Sequence, residues 1–129
     1  MLSSMVTRRQ VHETLPVRLR AKDSLAGAPL VRIALLDIDP AQLAAYRAAV
    51  SEEIDDSIRL EPGVLSISAP ALKDQPHQLR FFEIYADAAA CRRHLDSAHF
   101  RKCVDITRPM IASRRLLETT PLFLSLRPR

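Results

Sequence analysis

From Leu30 onward the chain alternates between short apolar runs and amphipathic stretches, each with its own start and stop signals. Leu30 to Ile38 is apolar and rich in β-branched residues, which predicts a buried strand with Arg32 and Asp37 near its ends. Asp39-Pro40-Ala41-Gln42 reads as a helix start. Asp39 can cap the first free amides, Pro40 suits the first helical position, and Gln42 can reach back as a capping-box partner. Leu43, Tyr46, Val50, Ile54 and Ile58 follow in steps of three and four and predict one buried helical face. Glu52, Glu53, Asp55 and Asp56 read as a solvated acidic stretch near the end of that helix, where a metal site is not expected. Pro62-Gly63 stops the helix and turns the chain.

Val64 to Ala69 predicts a second strand, with Leu65 and Ile67 on one side and Ser66 and Ser68 on the other. A polar loop, Lys73 to His77, leads into an aromatic-rich strand, Gln78 to Ala86, suited to hairpin pairing with its predecessor. Asp87 caps a short helix from Ala88 to about Leu95, and Ser97 caps another carrying Phe100, Cys103 or Val104, Thr107 and Ile111. Pro109 should kink or end it early, and Leu116 to Leu126 closes as a strand that Pro121 makes a bulge or an edge. The order β-α-β-β-α(α)-β is the split βαβ plan: an α+β, ferredoxin-like fold, a four-stranded antiparallel sheet with helices on one face. The other face still carries apolar side chains, so a second copy is expected to cover it, giving a homodimer with a dimeric α/β barrel. Residues 1–29 show no sustained period and read as a basic N-terminal extension, with a short strand at Val17-Arg18-Leu19-Arg20; residues 30–129 form the domain.

Composition narrows the function. At 129 residues there is room for one domain. Its two glycines, where ordinary usage gives about nine, cannot write a P-loop, a dinucleotide fingerprint or a glycine-flanked serine elbow. The longest nearly apolar run, Ala26 to Leu36, contains Arg32 and is too short to span a bilayer, so no membrane partner is expected. Cys91 and Cys103 lack CxxC spacing and read as reduced thiols, and no apolar signal-peptide core is present; a cytoplasmic location is expected. Of the net charge of +4, most belongs to residues 1–29, with five basic and two acidic side chains, whereas the domain holds fourteen and thirteen. Without a basic, aromatic-studded folded face, nucleic acid is not an expected partner.

Candidate reactive groups gather between residues 83 and 99. Glu83 shares a strand face with Leu79, Phe81 and Tyr85 and is either a structural carboxylate or a pocket group with a partner. His99, near the start of a helix, has a dipole reason to stay neutral, as a general base must, whereas His94 ends one. Either histidine could equally be a surface or capping residue, and the two can converge only if the chain breaks at Asp96-Ser97. A zinc site could draw on His77, His94, His99 and Glu83, but no recognised ligand spacing joins them, and no metal is expected.

Three motifs in order, Glu61-Pro62-Gly63-Val64-Leu65, Phe81-Phe82-Glu83-Ile84-Tyr85-Ala86-Asp87 and His94-Leu95-Asp96-Ser97-Ala98-His99-Phe100, resemble the antibiotic-biosynthesis-monooxygenase (ABM) domain family. The resemblance covers Leu30 to Arg129. It implies a dimeric ferredoxin-like barrel and a cofactor-independent monooxygenase acting on a quinol or other hydroxylated aromatic small molecule with O2, without metal or flavin. His94, His99 and Glu83 are then the expected catalytic groups, and Tyr85, Phe82 and Phe100 the expected substrate contacts. The chain has neither Trp nor Asn, which haem-degrading relatives use, so haem degradation is disfavoured. His99-Phe100-Arg101-Lys102-Cys103-Val104 followed by Pro109-Met110 is also similar to a sister branch that isomerises a phosphorylated autoinducer sugar derivative. For such a phosphate, Arg80, Arg101 and Lys102 are the available cations. Isomerisation of a phosphorylated hydroxy-dione and a non-catalytic small-molecule-binding module therefore stand as alternatives.

Overall fold

The computed structural model describes residues 28–125 and Arg127, so the strand expected at Val17 to Arg20 lies outside the described residues. The elements are β1 (Leu30–Ile38), α1 (Leu43–Leu60), β2 (Val64–Ser68), β3 (Ala71–Leu72), β4 (Gln75–Tyr85), α2 (Ala88–Leu95), α3 (Ala98–Thr107) and β5 (Ile111–Glu118). The strands pair antiparallel in the order β2-β4-β1-β5, with β3 added along β4. This is the α+β, ferredoxin-like fold, with helices on one face of the sheet.

Local chemistry sets most boundaries. Asp39 Oδ1 accepts from the Ala41 amide at 3.0 Å, opening a 3₁₀ turn that feeds α1. Asp87 and Ser97 cap α2 and α3 through the amides of Ala90 and Phe100. Pro109 falls in a 3₁₀ turn, Arg108–Met110, so α3 stops at Thr107.

Three expectations change. The last strand occupies Ile111–Glu118 rather than Leu116 to Leu126, because its ladder with β1 runs from Ile38–Ile111 to Arg32–Glu118 and then has no partner. The loop before β4 is shorter than expected: β4 already begins at Gln75, and Pro76 lies beyond the last pair with β1, Asp37–Gln78, where its missing N–H costs that ladder nothing. A register shift in β2 between Val64 and Ser66 separates Leu65, which is exposed, from the half-buried Ile67.

The helical face of α1 is also rotated from its expected position. Tyr46, Val50, Glu53 and Ser57 are buried, whereas Ile58 is 51% exposed. Each four-residue step advances the face by about 40°, so two such steps from the buried Val50 pass through Ile54 at the edge of the core and leave Ile58 outside it, while a four-three-four spacing stays on the buried face. Glu53 is thereby inside the protein, not on the solvated acidic stretch.

Residues of even number in β1 and odd number in β4 point toward the helices. Ala34, Leu36, Ile38, Leu79 and Phe81 build the main core with Tyr46, Val50 and Met110. A second cluster, Val64, Tyr85, Ala90 and Cys91, anchors α2. On the opposite face Val31, Ile33, Leu35, Phe82, Ile84 and Leu117 stand in register and join neither core.

Candidate active site

The site begins at the turn after α1. The Glu61 amide closes the helix on the Ser57 carbonyl at 3.0 Å, and Pro62-Gly63 swings the chain beneath α2. Gly63 is required there by contact: a Cβ at that position would lie 2.6 Å from the Ala90 Cβ. This close approach sets the Glu61 carboxylate against the end of α2. From α2 the buried His94 donates or accepts through Nδ1 at 2.9 Å from Glu61 Oε2. The chain then breaks at Asp96-Ser97, where the Ser97 hydroxyl donates to the His94 carbonyl at 2.7 Å and accepts from the Phe100 amide at 3.2 Å. The break brings His99 back toward His94, with ring centroids 6.1 Å apart, and His99 Nε2 meets the same Glu61 oxygen.

The other edge of His94 faces a different carboxylate, with Nε2 3.4 Å from Glu53 Oε2. Glu53 accepts from the Ser57 hydroxyl at 2.6 Å, and burial pushes its carboxyl above the ordinary range despite that bond and the nearby imidazoles. Phe100 and Tyr85 flank the His94 ring at centroid distances of 4.9 and 5.5 Å. The Tyr85 phenol donates to Glu83 Oε1 at 2.8 Å; burial, reinforced by that carboxylate, holds it well above its usual range.

Between the helices and the inward face of the sheet lies a cavity of about 610 Å³. The strand register sets Arg32 and Glu83 at one end of its sheet wall and Arg114 four residues along at the other; Ala34, Leu36, Phe81 and Val50 are apolar lining, and Glu53, His94 and Arg108 line it from the helices and the turn after α3. Arg32 donates to the Cys91 sulfur at 3.6 Å and lies opposite Glu83 in the register of β1 and β4. Tyr46 is buried and lines the cavity. Burial raises its phenol above the usual range, so it stays protonated and can donate. The Cys103 thiol is pushed up to about 11, by burial first and then by Glu53, which keeps it neutral and a poor nucleophile.

Of the residues singled out in the sequence, His94, Glu83 and Phe100 line this cavity. His99 sits behind His94 on Glu61, and Tyr85 lies fully buried beneath Glu83. Phe82 is elsewhere: the two-residue period of β4 turns it onto the outer face, 42% exposed. The cations considered for phosphate also point away. Arg80 bonds the Leu79 carbonyl, while Arg101 and Lys102 pair at the surface with Asp96 and Glu52. Ligand atoms of Glu53, His94 and His99 lie within 4.8 Å of one another, and a metal ion there would compete with Glu61 for both rings. His77 takes no part in that group and faces Asp37 at 3.6 Å. Glu61, Glu53, Tyr46, Arg32, Arg108 and Arg114 are site residues that the sequence did not mark. Glu61 was visible only as the first letter of a turn motif, and Tyr46 only as a core position.

Residues 29–106 match the family model described as antibiotic biosynthesis monooxygenase. Among solved structures, the chain is 40% identical to a candidate antibiotic biosynthesis monooxygenase from Bacteroides thetaiotaomicron, over 79% of this chain and 97% of that one, with a TM-score of 0.75. Similarly named proteins from Nitrosomonas europaea (20% identity, 83% and 97% coverage, TM-score 0.70) and Caulobacter crescentus (19%, 79% and 100%, 0.66) share the fold. A search of the curated proteins gave no match.

Proposed function

The chain belongs to the antibiotic biosynthesis monooxygenase family, and on that premise we propose that it is a cofactor-independent monooxygenase of a quinol or related hydroxyarene. The observation that carries this reading is a cavity-lining imidazole held from behind by a half-buried carboxylate: His94 Nδ1 on Glu61, with Nε2 toward Glu53, which also lines the cavity. A carboxylate accepting from Nδ1–H fixes the tautomer that leaves Nε2 free to take a proton.

Oxygenation without a cofactor needs an aryloxide, since the deprotonated ring is the form reducing enough to pass an electron to O2. His94 Nε2 takes the phenolic proton, and Glu53, 3.4 Å away and holding protons more tightly than an ordinary carboxyl, can receive it onward. The protonated Tyr46 hydroxyl supplies a donor for the developing oxyanion. One oxygen atom of O2 enters the ring and the other leaves as water, so a quinol becomes a hydroxyquinone; the substrate itself gives all four electrons. His99 and Tyr85 act as positioning residues, holding Glu61 and Glu83.

The test is dissolved-oxygen uptake with a naphthoquinol. His94→Ala should cost about 10²- to 10⁴-fold in turnover, the range for a lost general base, with the fold kept by circular dichroism. His99→Ala should cost less, because Glu61 still holds His94. Full turnover in His94→Ala would remove this assignment. The isomerase reading uses the same base and is favoured by the arginines in the cavity; activity on a phosphorylated hydroxy-dione under argon, with no oxygen uptake on quinols, would select it.

A further inference from the structure

The cavity has two chemically opposite ends. Glu83 is in register with Arg32, whereas Arg114 is in register with Leu36, four residues further along β1. Four residues of strand span about 13 Å, and the inward side chains of the sheet between them, Ala34 and Phe81, are apolar. At the His94 end Arg32 donates to the Cys91 sulfur and lies opposite Glu83 in the strand register, without an ion pair among the described residues. At the far end Arg108 and Arg114 reach the cavity from the 3₁₀ turn and from β5, and neither forms an ion pair among the described residues.

We propose that Arg108 and Arg114 form an anion subsite, so that the substrate is an elongated hydroxyarene with a carboxylate or phosphoryl group remote from its reacting ring. The inference rests on the cavity being the substrate site and specifies which substrates it takes. Orientation follows from charge. An anionic group is attracted by the two guanidinium groups and disfavoured beside the Glu83 carboxylate at the opposite end, which leaves the hydroxyl end for His94. A volume near 610 Å³ is ample for two fused rings with such a substituent.

Fluorescence titration of the full chain under argon, with 6-hydroxy-2-naphthoate, 2-naphthyl phosphate and uncharged 2-naphthol, tests this. One or both anions should bind about ten- to a hundredfold tighter than 2-naphthol, the gain ordinary for charge-assisted hydrogen bonds. The tighter of the two identifies the group. In the double variant Arg108→Met/Arg114→Met the preference should fall to near one, while 2-naphthol binds as before. Arg80→Met, on the outer face, should leave every value unchanged. Equal binding of charged and uncharged ligands by the wild type, or a preference that survives the double variant, overturns the subsite. Because nothing turns over under argon, absent oxygenation with an intact preference would count against the oxygenase reading alone.

Discussion

Glu53 occupies a position where two requirements compete. Its carboxylate faces His94 Nε2 at 3.4 Å, which suits proton transfer, yet burial disfavours its charge. Between the ordinary carboxyl value of 4.5 and its raised folded value, the native state holds a proton that the unfolded chain has already released. Stability falls with pH wherever the native state binds the extra proton, so this residue's contribution is present below that window and lost as pH rises through it. Glu53→Gln keeps the shape and a partner for Ser57 but cannot ionise. Melting temperatures measured from pH 4 to pH 8 should therefore show the variant gaining on the wild type as pH rises. A constant difference across that range would mean that Glu53 titrates normally in the fold. The same residue shows where side-chain patterning misleads: in a run of Glu52, Glu53, Asp55 and Asp56 nothing local distinguishes the one acid that turns inward.

At the scale of elements, the site depends on the contact between the turn after α1 and the first half of α2. Adding a methyl group at Gly63 would place it 2.6 Å from the Ala90 Cβ, a clash that must move one segment off the other. Gly63→Ala should destabilise by about 1–3 kcal/mol, the usual cost of overpacking, as measured by chemical denaturation. It should also lower oxygen uptake by shifting Glu61 relative to His94. Ala90→Gly in the Gly63→Ala background removes the opposing methyl and should return part of the activity; no recovery would place the effect elsewhere. Element types and most caps were legible from sequence because Asp39, Asp87, Ser97, Pro62 and Pro109 act on their own neighbours. The two histidines could be foreseen to converge because Ser97 marks the break between their helices. Their partner could not, since Glu61 lies 33 residues before His94 and only the packing of Gly63 on Ala90 unites them. Phe82 and Phe81 are equally aromatic in sequence, and only the register of β4 separates outer face from cavity.

The whole molecule has one face that its own described helices do not cover. An antiparallel sheet with a solvated side normally alternates apolar with polar residues, but β1 carries Val31, Ile33 and Leu35 on its outward positions as well as an apolar inward row. Phe82 and Ile84 extend this surface across β4, and Leu117 across β5, with Arg80 and Arg115 beside Leu35 at its margin. A contiguous apolar surface rimmed by charge is the ordinary composition of a protein interface, and a flat sheet face meets its own copy about a two-fold axis without new shapes being needed. The expected assembly is therefore a homodimer joined sheet to sheet, with each cavity on the helix side of its own sheet. Ile33 sits at the centre of the face, paired with Phe82 on one side and Leu117 on the other. Ile33→Glu would bury a carboxylate against the partner's apolar surface without a counter-charge, a cost no standard interface absorbs. Sedimentation velocity at micromolar concentration should give a dimer for the wild type and a folded monomer for Ile33→Glu. Arg80→Ala, at the margin, should remain dimeric. A wild type that sediments as a monomer would leave this face without its cover and end the dimer assignment.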